Sequence, residues 1–202
     1  MRPRVPDSQH RGWASRLVLA GLLALPAAGT AAADTLVEFN VVARENGPAI
    51  TDGVDLHVWS RNGKRAIRKV AEFTGAPTKL HLEPDEYRVV ARYRHARSIT
   101  DIEVGVGESM STTLNLNLGG LELELLRCPG ASPVRHDVSW TVHPYRRGKK
   151  AAPPLVETQE PVPALGLSAG WYKVAAHHGA ETYTHIVEVS AGRSLTYSLF
   201  MK

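Results

Sequence analysis

Leu82-Glu83-Pro84-Asp85-Glu86-Tyr87-Arg88-Val89-Val90-Ala91 and Leu167-Ser168-Ala169-Gly170-Trp171-Tyr172-Lys173-Val174-Ala175-Ala176 are two copies of one pattern. In each, a leucine precedes a turn-forming pair, Pro84-Asp85 or Ala169-Gly170, and a tyrosine then opens an alternating strand. The pattern predicts a corner at which the chain leaves one sheet for another. A tyrosine there can lie across the corner and donate its hydroxyl to backbone a few residues upstream, as in Greek-key sandwiches. Tyr87, Tyr172 and Gly170 are therefore assigned to architecture and not to chemistry.

Outward from the corners the two copies stay in register. Tyr87 falls on Tyr172, Val89 on Val174, Glu103-Val104 on Glu188-Val189, Gly107 on Gly192 and Leu114 on Leu199, a constant offset of 85. Val54-Leu56-Val58 falls on Val138-Trp140-Val142 at 84, which implies one residue gained or lost between them. The period exceeds the roughly 20 to 50 residues of solenoid repeats, so a whole domain is duplicated. The hydrophobic pattern has period two nearly throughout and no long helical spacing. In the first copy it predicts strands around Val37-Phe39-Val41 and Val54-Leu56-Val58, then at 66–73, 79–82, 87–93, 99–104 and 109–118. About seven strands per copy at this spacing predict an all-β fold of two tandem immunoglobulin-like sandwiches.

The junction, Leu114-Asn115-Leu116-Asn117-Leu118-Gly119-Gly120-Leu121-Glu122-Leu123-Glu124-Leu125, admits two readings. A Gly119-Gly120 turn would make a hairpin with leucines on one face and asparagines opposite glutamates on the other. A hinge between separate units is favoured, because each copy begins with the equivalent strand.

Residues 1–33 read as a secretory leader: Arg2, Arg4, Arg11 and Arg16 precede an apolar run from Leu17 to Ala28, and Ala31-Ala32-Ala33 is a small-residue cleavage site. The run is shorter than the roughly 20 residues of a membrane helix and contains Pro26. The expected organisation is a leader at 1–33, one sandwich at 34–118 and a second at 119–202, delivered to the periplasm or secreted without a membrane-spanning segment. The whole chain carries 24 basic and 20 acidic residues. With four arginines and Asp7 in the leader, the remainder holds 20 and 19, a net charge of +1. Nucleic-acid binding, which needs a strongly basic face, loses its support. Cys128 is the only cysteine and can form no intrachain bridge, so the sandwiches must hold by packing; a small, mostly buried side chain is expected for it.

The succession of leucine, turn, tyrosine strand, Val-x-Val strand, glycine turn and final Leu-x-Leu strand resembles carboxypeptidase-regulatory-like (prealbumin-like) sandwiches and PEGA-type surface repeats. The match is closer in the second copy, which continues Ile186-Val187-Glu188-Val189-Ser190-Ala191-Gly192, whereas Asp85 stands in the first where glycine is expected. The resemblance covers nearly all of the chain after the leader. It implies an accessory, adhesive or scaffolding module of the bacterial envelope, not an enzyme, with no shared catalytic residues.

Candidate sites are few. Arg61, Lys64 and Arg65 around Gly63, and Arg146, Arg147, Lys149 and Lys150 around Gly148, align as two cationic hairpin tips. They could grip another envelope protein's acidic face, an anionic envelope polymer or lipid phosphates, or merely keep two sheet tips solvated. His177, His178 and His185 suggest metal, but adjacent strand residues face opposite ways and cannot share one centre without a bulge, so no metal or other cofactor is expected. Ser139 and Ser194 lack a paired base, and Glu122 and Glu124 are explained by alternation with leucines, so no catalytic residue is assigned. Among the tryptophans, Trp140 alternates with core valines, while Trp59 and Trp171 could stack on sugars; a carbohydrate-binding module is the alternative function.

Overall fold

The computed structural model describes residues 34–202 apart from Glu108, Ala151 and Lys202; the expected leader and its cleavage site lie outside the described residues. All regular structure among them is β, in fourteen strands and four sheets. In the first lobe β1 (Thr35–Val42) is flanked by β4 (Thr78–Leu82) and β7 (Met110–Asn115). The facing sheet has the order β3 (Arg65–Thr74), β2 (Val54–Asn62), β5 (Asp85–Tyr93), β6 (Ala96–Val104).

The second lobe repeats this arrangement strand for strand. Its three-stranded sheet has the order β11 (Ala164–Ser168), β8 (Leu118–Leu126), β14 (Ser194–Phe200). The other is β10 (Val156–Thr158), β9 (Val138–Pro144), β12 (Gly170–His178), β13 (Glu181–Val189). In each lobe the first and last strands run parallel, β1 with β7 and β8 with β14.

Each lobe closes its own interior. Alternate residues of β1, β2, β5 and β7, among them Phe39, Leu56, Val58, Val89 and Leu114, meet in one core. Leu123, Leu125, Trp140, Val142, Val174 and Leu199 meet in the other. A buried side chain of this size contributes about 1.5–3 kcal/mol relative to exposure, which is why alternation fixes the register of strands such as β1, β8 and β9. Trp140, 1% exposed, is the largest of the fully buried side chains and donates its indole N–H to the Pro161 carbonyl at 3.1 Å.

The corners form as expected in both copies. β4 bonds to β1 whereas β5 bonds to β2, so the chain changes sheets at Glu83-Pro84. The Tyr87 hydroxyl donates to the Glu83 carbonyl at 2.9 Å, and that of Tyr172 to the Ser168 carbonyl at 2.7 Å. Burial pushes both phenols above the ordinary tyrosine range, with Asp85 and Glu83 adding to the effect at Tyr87. Asp85 serves in place of glycine because its carboxylate accepts the next backbone N–H, that of Glu86, at 2.8 Å.

Three expectations need correction, and one strand of the second lobe is far shorter than its counterpart. The strand expected over 109–118 stops at Asn115, where the Asn115 side chain accepts the Asn117 N–H at 2.9 Å and Asn117 takes φ +48°. Gly119-Gly120 is not a turn of any kind but lies inside β8, paired with β11 and β14. The pair is there for close approach: a Cβ on Gly119 would lie 2.7 Å from Val189 Cγ1, and one on Gly120 would lie 2.7 Å from Ser194 Oγ. β10, the counterpart of the ten-residue β3, has three residues. Pro153 and Pro154 just before it have no N–H to give a ladder. Finally, Cys128 is exposed, because it lies in the connection that leaves the sheets after β8.

The lobes are joined by more than the chain. The Ala169 N–H donates to the Asn117 carbonyl at 2.7 Å, and the His95 N–H to the Gly166 carbonyl at 3.2 Å. Ser168 Oγ accepts the Arg97 N–H at 3.0 Å and lies 3.2 Å from the Arg97 carbonyl. Two glycines of the second lobe admit arginines of the first: a Cβ on Gly166 would lie 3.0 Å from Arg94 Cδ, and one on Gly192 would lie 2.5 Å from Arg44 Cδ.

Candidate functional site

The two basic segments differ in form. Gly63-Lys64 is a tight turn between β2 and β3, and Lys64 and Arg65 are exposed. Arg61 is turned inward: its guanidinium lies 3.5 Å from Glu86 Oε2 and 3.5 Å from Asp101 Oδ2, and it donates to the Gly63 carbonyl. Its charge is thus spent within the lobe. Beside it, Arg88 donates to both oxygens of Asp101 at 2.7 and 2.9 Å, which holds the Asp101 carboxyl below its ordinary range, with Arg61 adding to the effect.

In the second lobe the basic segment is not a hairpin tip. Residues 145–155 form a long connection from β9 to β10, with Arg146, Arg147, Lys149 and Lys150 all exposed. Within it the Lys149 N–H donates to the Arg146 carbonyl at 3.1 Å, with Gly148 at φ +71°. Pro144, Arg146, Lys149, Lys150 and Ala152 line an open groove of about 510 Å³. The Tyr145 N–H donates to the Trp171 carbonyl at 2.8 Å, so the connection departs beside a tryptophan that is 51% exposed. The structure thus brings Arg146, Lys149 and Lys150 to one groove and pairs Arg61 with Glu86 and Asp101 of its own lobe.

These three histidines are each bonded to a neighbour in the same lobe. His177 reaches Thr141 Oγ1 at 3.2 Å through Nε2 and Thr182 Oγ1 at 3.1 Å through Nδ1. His178, on the other parity, meets the Asp137 carbonyl at 3.1 Å, and His185 meets the Tyr197 hydroxyl at 2.9 Å. Glu122 and Glu124 accept from Thr196 and Ser198 of β14, both at 3.2 Å.

One constellation has no local signature in the sequence. On the outer face of the first lobe's four-stranded sheet, His57, Trp59, Arg88, Val90, Arg92 and Arg97 surround a depression of about 220 Å³. Alternation alone places Arg88 and Arg92 on one face. That Arg97 of β6 stands opposite Arg92, and Trp59 of β2 opposite Arg88, depends on pairing registers that neighbouring residues do not specify.

No protein-family model matches the chain, and a search of curated proteins finds no relative. Among solved structures it is similar to GBS52, the minor pilin of Streptococcus agalactiae, with 13% identity, 81% of this chain and 94% of that one covered, and a TM-score of 0.45. It is similar also to the shaft pilin SpaA of Lactobacillus rhamnosus GG, with 8% identity, coverage of 84% and 98%, and a TM-score of 0.33. A third is the TIE protein of Bacillus anthracis, with 12% identity, 83% of this chain covered and a TM-score of 0.35. The chain spans about a third of that protein's length, 34%.

Proposed function

We propose that the chain is an exported, non-enzymatic interaction and scaffolding module of the bacterial cell envelope, working in the periplasm or outside the cell. In this reading 1–33 is a leader removed on export, and 34–118 and 119–202 are sandwich repeats akin to the carboxypeptidase-regulatory-like and PEGA-type modules. The partner is an anionic envelope polymer or the acidic face of another envelope protein.

The observation that carries the reading is the β9–β10 connection. A sandwich needs only a short turn there, as Gly63-Lys64 demonstrates in the first lobe. The second lobe instead holds four exposed cations within five residues, three of them, Arg146, Lys149 and Lys150, along an open groove. A cation near an anionic surface contributes about 1 kcal/mol, so four act together through a field that salt screens. Binding of the full chain to anionic vesicles or to isolated envelope polymer, measured by co-sedimentation, is expected to weaken with salt. Converting Arg146, Arg147, Lys149 and Lys150 to serine is expected to weaken it on the order of a thousandfold at low salt. Binding that is indifferent to both salt and the fourfold variant would remove the reading.

Trp171 supports the second reading, a carbohydrate-binding module, because its indole is half exposed beside the same connection. That reading expects Trp171→Ala to abolish a fluorescence change induced by neutral envelope glycans, with the basic residues intact.

A further inference from the structure

We infer that the outer face of the first lobe's four-stranded sheet is a binding furrow for an acidic glycan, one sugar ring resting against Trp59 and its negative group held by Arg92 and Arg97. This site is separate from the basic connection of the second lobe and does not depend on it.

Three cross-strand rows build the furrow. Trp59 stands opposite Arg88, which stands opposite Asp101; His57 opposite Val90, which stands opposite Ile99; and Asp55 opposite Arg92, which stands opposite Arg97. Val90 points away from the core, yet it is only 4% exposed, because the longer side chains around it rise as walls over a shallow floor. The space of about 220 Å³ is below the roughly 300 Å³ at which drug-sized pockets begin, so it takes a single ring and leaves the rest of a chain in solvent.

The charge pattern selects the ligand. Like charges directly opposite each other on adjacent strands destabilise a sheet, and Arg92 and Arg97 are such a pair. The neighbouring carboxylates are engaged elsewhere. Asp101 takes Arg88 and Arg61, Glu72 takes Lys69 at 2.6 Å and faces His57 at 3.6 Å, and Asp55 accepts from Thr74 at 3.2 Å. Among the described residues, no carboxylate lies within 4.0 Å of either Arg92 or Arg97. The two arginines, opposite each other across neighbouring strands, line the same depression, and a guanidinium is the donor that matches a carboxylate or sulfate.

The duplication supplies an internal control. The positions equivalent to Arg92 and Arg97 are His177 and Thr182, and there the imidazole and hydroxyl bond directly to each other at 3.1 Å. The counterpart of Trp59 is His143, whose ring bonds the Ala152 carbonyl at 2.9 Å. At these positions the same fold therefore closes the face with side chains that bond one another or the backbone. Among the described residues, Arg92 and Arg97 have no such partner in the first lobe, and the indole of Trp59 carries Lys69 Nζ 6.0 Å from its ring centroid, a third cation beside them. An aromatic face next to paired cations is what an acidic sugar requires: its apolar C–H surface packs on the indole while its charge reaches the guanidinium groups.

The experiment is a fluorescence titration of the full chain with an oligogalacturonide, a sulfated oligosaccharide, a neutral cello-oligosaccharide and inorganic phosphate. A saturable change with at least one acidic oligosaccharide and none with the neutral one is expected. The double variant R92H/R97T, which imports the second lobe's own pair and so preserves the fold, is expected to weaken that binding at least about tenfold. Trp59→His is expected to remove the signal, whereas the serine variant of the basic connection is expected to leave it intact. An unchanged affinity in R92H/R97T, a response to phosphate equal to that of the acidic sugars, or no saturation by either acidic oligosaccharide up to about 10 mM overturns the site.

Discussion

At the scale of single residues, the two corner tyrosines do the same work at positions 85 apart, and each couples the end of one sheet to the start of the other. Replacing either by phenylalanine keeps the ring and deletes one hydrogen bond, so Tyr87→Phe and Tyr172→Phe should each cost about 0.5–1.5 kcal/mol in thermal or denaturant unfolding. The pH dependence follows from the same burial. Both phenols titrate above their ordinary value when folded, because burial favours the neutral form. Their contribution is therefore complete below the unfolded tyrosine pKa of about 10 and is lost as pH rises through the higher folded value. Ultraviolet difference titration should find two of the tyrosines ionising late, and this late step should vanish in the double phenylalanine variant. Glycines divide by the same logic of local space. Gly119→Ala would drive a methyl into the Ser190 carbonyl and Val189 and should destabilise by about 1–3 kcal/mol, whereas Gly105→Ala meets nothing within 4 Å and should be near neutral.

At the scale of elements, the β9–β10 connection and the β7–β8 junction exchange the roles that their composition suggests. The glycine pair at the junction looks flexible but is laddered on both sides, with the Gly120 N–H donating to the Arg193 carbonyl at 2.8 Å. The connection over 145–155 looks like a hairpin turn but is long, exposed and bordered by prolines. Limited trypsinolysis of the folded chain should therefore cut first after Arg146, Arg147, Lys149 or Lys150. Early fragments ending near residues 119–120, by a protease of broad specificity, would contradict the laddered junction. The length of β10 follows from the same prolines, and an edge strand of only three residues offers another chain little ladder to extend.

At the scale of the whole molecule, the question is whether two cores behave as two proteins. Backbone hydrogen bonds from Ala169 to Asn117 and from His95 to Gly166, with the Ser168 hydroxyl held at Arg97, connect them across the junction. Two glycines receive arginine side chains across the same boundary. Gly107, the counterpart of Gly192, has open space around it, so this packing belongs to the contact between lobes and not to the repeat itself. Leu56→Ala in one core and Leu123→Ala in the other should each cost about 2–5 kcal/mol, and both should lower the same single unfolding transition. Calorimetry that resolves two transitions, each answering to one substitution only, would show that the contacts between lobes do not couple them.

The duplication, the number of strands, the identity of the core and the bond each corner tyrosine makes are all legible in the amino-acid sequence, because they depend on alternation and on neighbours within a few residues. Trp140 inside and Trp171 outside follow from parity alone. What parity cannot supply is which strand lies beside which, and by how much each is shifted along the other. For that reason the inward turn of Arg61 to Glu86 and Asp101, the placing of the glycine pair inside a strand and the furrow between Trp59 and the opposed Arg92 and Arg97 are decided only by the tertiary structure. Each depends on residues brought together by long-range pairing, where a shift of one position would carry the same side chains to the opposite face.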